Sequence, residues 1–239
     1  MTPPTAPGIR ARNRAAIETE IRRVARRHLA ESGAAALSLR AVARDLDMVP
    51  SALYRYVASR DDLLTLLIVD AYDDLGDAVD AALGPLEDAA PRSRFVAIAE
   101  TLRTWALEHP ADYALLFGSP VPDYRAPADR TNASGTRVYA RLLTLAAGLR
   151  TVPDLAGLDE ATQLEGAAAL DTLVRDPQVA LTGVTPLVLQ RALAAWHLVH
   201  GAVTSEVFEQ LGPDVATDPV ALFAATADLA TAVLFGDAD

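Results

Sequence analysis

Ser51, Tyr54, Arg55 and Tyr56 fall within six residues, directly behind Pro50. On a helix at ~100° per residue, Leu53 and Val57 share one side with Pro50, while Arg55 points directly away. Ser51 lies beside Arg55, and the two tyrosines sit on its shoulders. Such a surface suits the major groove of DNA. An arginine can donate two hydrogen bonds to guanine O6 and N7, worth ~1–3 kcal/mol of discrimination, while phenols reach the phosphate walls. The same spacing also suits two half-buried packing tyrosines beside an ordinary solvated arginine.

Other groupings carry less chemistry. Asp70, Asp73, Asp74 and Asp77 share a helix face, but neither histidine nor glutamate accompanies them. A solvated acidic face is therefore expected rather than a metal cluster. His197 and His200 are three apart, a spacing that permits joint metal binding. Glu206 lies six residues beyond His200, too far along to complete such a site, so a buried, hydrogen-bonded pair is expected. No Gly-x-Ser-x-Gly elbow, His-Glu-x-x-His pair, phosphate loop or dinucleotide fingerprint occurs. Without cysteine there are no disulfides, thiolate metal sites, cysteine nucleophiles or iron–sulfur clusters. No catalytic residue, metal or cofactor is expected.

The elements that must position these residues read as helices. No stretch alternates as a half-buried strand does. Pro50, Pro110, Pro186 and Pro219 each suit a first helical position, where the missing N–H would have no partner. Glycines at 33, 84, 118, 148 and 212 mark stops. An all-α chain of nine or ten helices follows. A first helix spans about Arg12 to Ser32, with Ile17, Ile21 and Val24 on one arc and Arg22, Arg23, Arg26 and Arg27 opposite. Ser38 caps a second, which turns Val42, Ala43 and Leu46 inward. Asp47-Met48-Val49 makes a tight turn, and Pro50 opens a two-turn helix ending near Val57. Ser59 with Asp62 caps a long fourth helix. Two short helices joined by three residues and propped on a longer one make a helix-turn-helix candidate.

Charge divides the chain. Eleven arginines face seven acids through Val69 (net +4), ten face 25 beyond it (net −15), and together these give −11. A basic end on an acidic chain points to that end alone meeting a polyanion. At 51% hydrophobic and 22% charged, the composition supports a core rather than disorder. Apolar runs such as Leu66 to Val69 fall far short of the ~18 residues that span a membrane. No signal-peptide stretch precedes Arg12, so a cytoplasmic location is expected.

The run from Leu37 to Leu46, then Val49 to Leu64, resembles the DNA-binding domain of the TetR family of transcriptional regulators. Leu53-Tyr54-Arg55-Tyr56-Val57 with Ser59-Arg60 and the paired leucines is its most specific part. The resemblance implies base-facing roles for Pro50, Ser51, Ala52 and Arg55, and phosphate contacts from Tyr54, Tyr56 and Arg60. Arg40 matches a position that reaches bases or backbone, and Ser38 a cap whose helix end faces a phosphate. Asp47 stands where the family often has glycine, and aspartate tolerates the left-handed conformation that such a turn needs. Expected domains are a disordered tail (1–11), a helix-turn-helix domain (12–66), and a C-terminal ligand-binding and dimerisation domain (67–239).

In that last domain, the segment from Trp105 to Gly118 and Trp196-His197-Leu198-Val199-His200-Gly201 are similar to the TetR subgroup with a Trp-His-Gly signature. The likeness implies a cavity for a small apolar or aromatic effector among Trp105, Tyr113, Phe117, Tyr139 and Trp196, with Arg103 and His200 as polar anchors. The last helix, Pro219 to Phe235, is apolar nearly all round and must be covered on most sides. The resemblance implies a homodimer through the last two helices, against the simpler reading of a central helix in a monomer. A ligand-responsive repressor of a double-stranded operator is the leading expectation. An all-α enzyme and a ligand-independent DNA-binding structural protein are the alternatives.

Overall fold

The computed structural model describes residues 8–149, 152–153, 155, 157–176, 179, 182–212 and 216–236. Residues 1–7 of the expected tail lie outside them. Within them are twelve α-helices and no strand. The excess over nine or ten comes from short pieces such as Asp171–Val174. The helices are α1 (Ile9–Ser32), α2 (Leu39–Asp45), α3 (Pro50–Leu53), α4 (Arg60–Leu83), α5 (Pro91–Glu108), α6 (Pro110–Phe117), α7 (Ala128–Gly135), α8 (Arg137–Ala147), α9 (Glu160–Ala168), α10 (Asp171–Val174), α11 (Pro186–Val207) and α12 (Pro219–Phe235). All four prolines singled out in the sequence open a helix.

The chain folds as two compact units, residues 8–74 with 109–135, and residues 75–108 with the chain from 136 onward. This division gives α6 and α7 to the unit that holds the helix-turn-helix, and it splits α4. The first unit closes on a core of Ile21, Val24, Leu37, Leu39, Val42, Leu53, Val57, Leu63, Leu64 and Leu67. Each such side chain contributes about 1.5–3 kcal/mol when fully buried. Leu115, Val121 and Tyr124 pack against its edge. The irregular proline stretch is thus anchored on the reading head, and Tyr124 Oη lies 2.9 Å from Thr65 Oγ1 of α4.

Local signals set the reading head. α1 begins at Ile9, inside the stretch expected to be tail. Ser38 precedes α2 as its N-cap, without a side-chain capping bond. α2 ends in a Schellman turn: the Met48 N–H donates to Ala43 O and the Asp47 N–H to Arg44 O. Asp47 sits at φ 52, the left-handed backbone expected of it. Asp47→Gly should therefore raise stability by about 0.5–1 kcal/mol, read as a higher urea midpoint with unchanged helix content. At α4, Ser59 Oγ accepts from the Asp62 N–H and Asp62 accepts from the Ala58 N–H, a reciprocal cap.

The second unit is built on α11 and α12 against α5, α8 and α9. Phe95, Ile98, Leu102, Trp105, Leu142, Val188, Trp196, Val199, Phe223 and Leu234 are buried within it. Gly76 of α4 has a specific use here: a Cβ would lie 2.8 Å from the Arg137 guanidinium. Lying over the glycine, Arg137 reaches both Asp77 and Asp80, and Arg141 also bonds Asp80.

Candidate nucleic-acid interface

The third helix is shorter than two turns. Regular α-structure covers Pro50–Leu53, and the chain then tightens, with Tyr56 N–H donating to Leu53 O at 2.8 Å. Helical hydrogen bonding still carries through to Val57, whose N–H donates to Leu53 O. Leu53 and Val57 are buried, while Pro50, Ser51, Tyr54 and Arg55 are exposed and Ala52 is half-buried. The side chains that could meet base edges therefore share the outer surface. Arg40 of α2 is exposed as well.

Tyr56 and Arg60 are tied into the fold. Tyr56 is half-buried against the first unit's core, with the Arg14 guanidinium 5.6 Å from its ring centroid. Arg60 donates through Nε to Leu37 O at 3.1 Å and through Nη2 to Ala34 O and Ala35 O at 3.0 Å each. Three of its five N–H groups thus close the 3-10 turn at Ala34–Ala36. A phosphate could meet only what remains on Nη1.

The arginine arc of α1 is also committed internally, contrary to a simple basic surface. Arg22 pairs with Asp70 at 2.8 Å, Arg23 with Glu20 at 2.9 Å, and Arg26 lies 3.7 Å from Asp112. Arg27 and His28 Nε2 both reach Asp45, at 2.6 and 2.8 Å, pinning α1 to α2. Arg130 of α7 bonds Asp62 at the start of α4. Asp70 and Asp77 are accordingly partners of arginine rather than members of a bare solvated face. Among the described residues no three histidine, aspartate or glutamate side chains form a group that could hold a metal.

Two carboxylates carry opposite pH signatures. Burial raises the Asp112 carboxyl above its ordinary 3.8, against the attraction of Arg26. The Arg141 hydrogen bond, then that of Arg137, holds Asp80 below 3.8 despite some burial. A raised carboxyl gains stability as pH falls through its folded-state value, because the folded state takes the proton first. A lowered one keeps its contribution above 3.8 and loses it as pH falls through the lowered value. Asp112 adds a rise to the urea midpoint as pH descends towards 3.8, and Asp80 a fall below it. Asp112→Asn should shrink the rise and Asp80→Asn the fall, and an unchanged profile in both would contradict these assignments.

Of the aromatic residues expected around an effector cavity, Tyr113 and Phe117 belong to the first unit and Trp105, Tyr139 and Trp196 to the second. Tyr113 and Phe117 meet at a tilt, with ring centroids 5.0 Å apart, and Tyr72 lies edge-on to Phe117. In the second, Tyr139, Trp196 and His200 form a run with centroids 5.8 and 6.0 Å apart. Trp105 is buried in α5. Arg103 is taken by Glu206 in a two-pronged pair at 2.7 and 2.5 Å, and lies over the Phe223 ring. His200 is half-buried, and burial first, then His197, lowers its pKa. His197 is exposed, so the expected buried histidine pair does not form; Thr204 Oγ1 approaches His200 Nδ1 instead, at 3.4 Å.

By architecture this is a helix-turn-helix reader joined to a larger helical body, the plan of a DNA-binding regulator. Residues 21–67 match the family model described as bacterial regulatory proteins, tetR family. Residues 95–230 match that described as tetracyclin repressor-like, C-terminal domain. The HTH-type transcriptional regulators Mb1846 of Mycobacterium bovis and Rv1816 of Mycobacterium tuberculosis are each 43% identical over 228 residues, covering 95% of this chain and 96% of theirs. The crystal structure of SCO4313 aligns at TM-score 0.74 and 34% identity, over 93% of this chain and 98% of that one. PfmR of Thermus thermophilus, a TetR family regulator, shares the fold at TM-score 0.51 and 18% identity, over 92% and 99%. The chain belongs to the TetR family of transcriptional regulators. Among the described residues no helix is long and apolar enough to cross a membrane.

Proposed function

We propose that this regulator is a cytoplasmic homodimeric repressor that reads a near-palindromic operator and is released by a small apolar or aromatic effector. The observation that carries it is the outward group of Ser51, Tyr54 and Arg55, with Arg40 exposed on α2, on a reading head whose other arginines are largely internally paired. Arg55 reads base edges, with Pro50, Ser51 and Ala52 beside it. Tyr54, Arg40 and the N-cap end at Ser38 meet the backbone, with Tyr56 supporting from its half-buried position. Arg60 holds the carbonyls of the preceding turn, which favours a structural role over a phosphate contact.

Dimerisation through α11 and α12 is supported by what they leave uncovered. Leu222 is 52% exposed and Leu229, two turns on, 62% exposed. Leu198 of α11 and Phe208 just past its end are exposed too, and Asp228 is the one charged residue in α12. Large apolar side chains on both helices suit a second copy in a two-fold arrangement. The Tyr139–Trp196–His200 run, whose last two members come from the segment Trp196 to Gly201, is the preferred effector contact, and α4 is the element to carry its effect because its residues belong to both units. A mobility shift on DNA flanking the protein's own coding region tests the regulator. Retarded DNA that is released by a compound found in a thermal-shift panel supports this reading. Catalytic turnover without DNA binding would favour the enzyme alternative.

A further inference from the structure

Ion pairing inside the first unit leaves few cations facing outward, and one stands apart from the helix-turn-helix itself. Arg10, at the start of α1, is exposed and has no acidic partner among the described residues. It lies one turn before Arg14, so the two share a helix face, about 6 Å apart along the axis. Arg14 is the arginine over the Tyr56 ring. Tyr56 in turn adjoins the exposed Tyr54 and Arg55. Arg14 therefore lies against the end of the third-helix segment, and Arg10 lies one turn before it on α1.

Packing does not explain these first turns of α1. Arg10 and residues 12–16 are exposed, and Ile17 is the first of the helix known to pack on the core. Local electrostatics does not explain Arg10 either. The opening turn carries no acidic residue, although the helix dipole favours anions there and opposes arginine. Cations held on an unburied turn against the dipole, and in line with a DNA-reading surface, fit an external polyanion.

We propose that Arg10, with Arg14 behind it, contacts DNA phosphates beside the base-reading segment, so that the interface extends from α3 onto the first turns of α1. This rests on the DNA-reading function proposed above. Arg14 already shares its guanidinium with Glu18 at 2.8 Å, which makes Arg10 the principal contact. A phosphate contact adds affinity without sequence preference.

The test uses full-length protein and a duplex that the wild type selects from a random-sequence pool. Binding is followed across salt concentrations for the wild type, R10A, R10K, R12A and R55A. Each phosphate contact contributes ~0.9 to the slope of log K against log salt, so R10A in a dimer should lower it by about 1.8. R10K should keep the wild-type slope. Arg12 lies on the other side of the helix, and R12A, with the same charge loss, should leave the slope unchanged. A wild-type slope in R10A, or an equal drop in R12A, would overturn the phosphate contact. If R55A relaxes base preference while R10A changes nothing, this inference falls and the DNA-reading function stands. If the wild type selects no duplex, both fall.

Discussion

Leu229→Glu should turn a dimer into a folded monomer in sedimentation at micromolar protein, with wild-type helix content. Leu229 is 62% exposed in the single chain, so a carboxylate there meets water and the subunit keeps its fold. In a two-fold interface the same residue meets its symmetry mate's surface, and two buried like charges result. Operator affinity should fall by at least about a hundredfold, because two half-sites are then no longer engaged as one ligand. Helices buried inside a monomer would respond differently. Asp228 neighbours Leu229 and is itself exposed, so a monomer would accept the substitution with no change in assembly. A variant that remained dimeric would move the interface away from this face of α12.

The second large effect is expected from Arg60→Ala. The arginine's three hydrogen bonds to Leu37, Ala34 and Ala35 carbonyls fasten the end of α1 and the approach to α2 onto α4. Charge-assisted bonds to partly buried carbonyls are worth about 1.5–3 kcal/mol, and exposure of Ala35 to water keeps the total near the middle of that scale. For a chain of this length the melting temperature should fall by about 4–8 °C. DNA binding should weaken with it and recover at lower temperature. A phosphate-contacting Arg60 would give the reverse pattern, with an unchanged melting temperature and a lower salt slope. The two roles are therefore separable in one variant.

Local rules carried much of the fold. Proline at the first helical position, the Ser59–Asp62 cap and the left-handed Asp47 are short-range features, each decided within a few residues and each present in the structure. The outward Arg55 followed in the same way from helical spacing about Leu53 and Val57. Long-range pairing was not legible. Arg22 and Asp70, or Arg103 and Glu206, are far apart in the chain, and no periodicity links an arginine to its distant acid. The basic character of the N-terminal end was correctly counted, yet most of its arginines serve internal acids and carbonyls. Which aromatic residues pair is not legible in composition: Tyr113 meets Phe117 within the first unit, and Tyr139 meets Trp196 within the second. The docking of Val121 and Tyr124 on the reading head had no sequence signal, because a proline-rich stretch reads as a loop whatever it packs against.

Base reading is the role proposed for the segment around Arg55. Its most direct measurement is the set of sequences recovered from random duplexes by the wild type and by Arg55→Ala. A near-palindromic motif is expected for the wild type, with guanine fixed at one position in each half-site, and loss of preference at that position alone in the variant. An identical motif from both proteins, guanine retained, would contradict it.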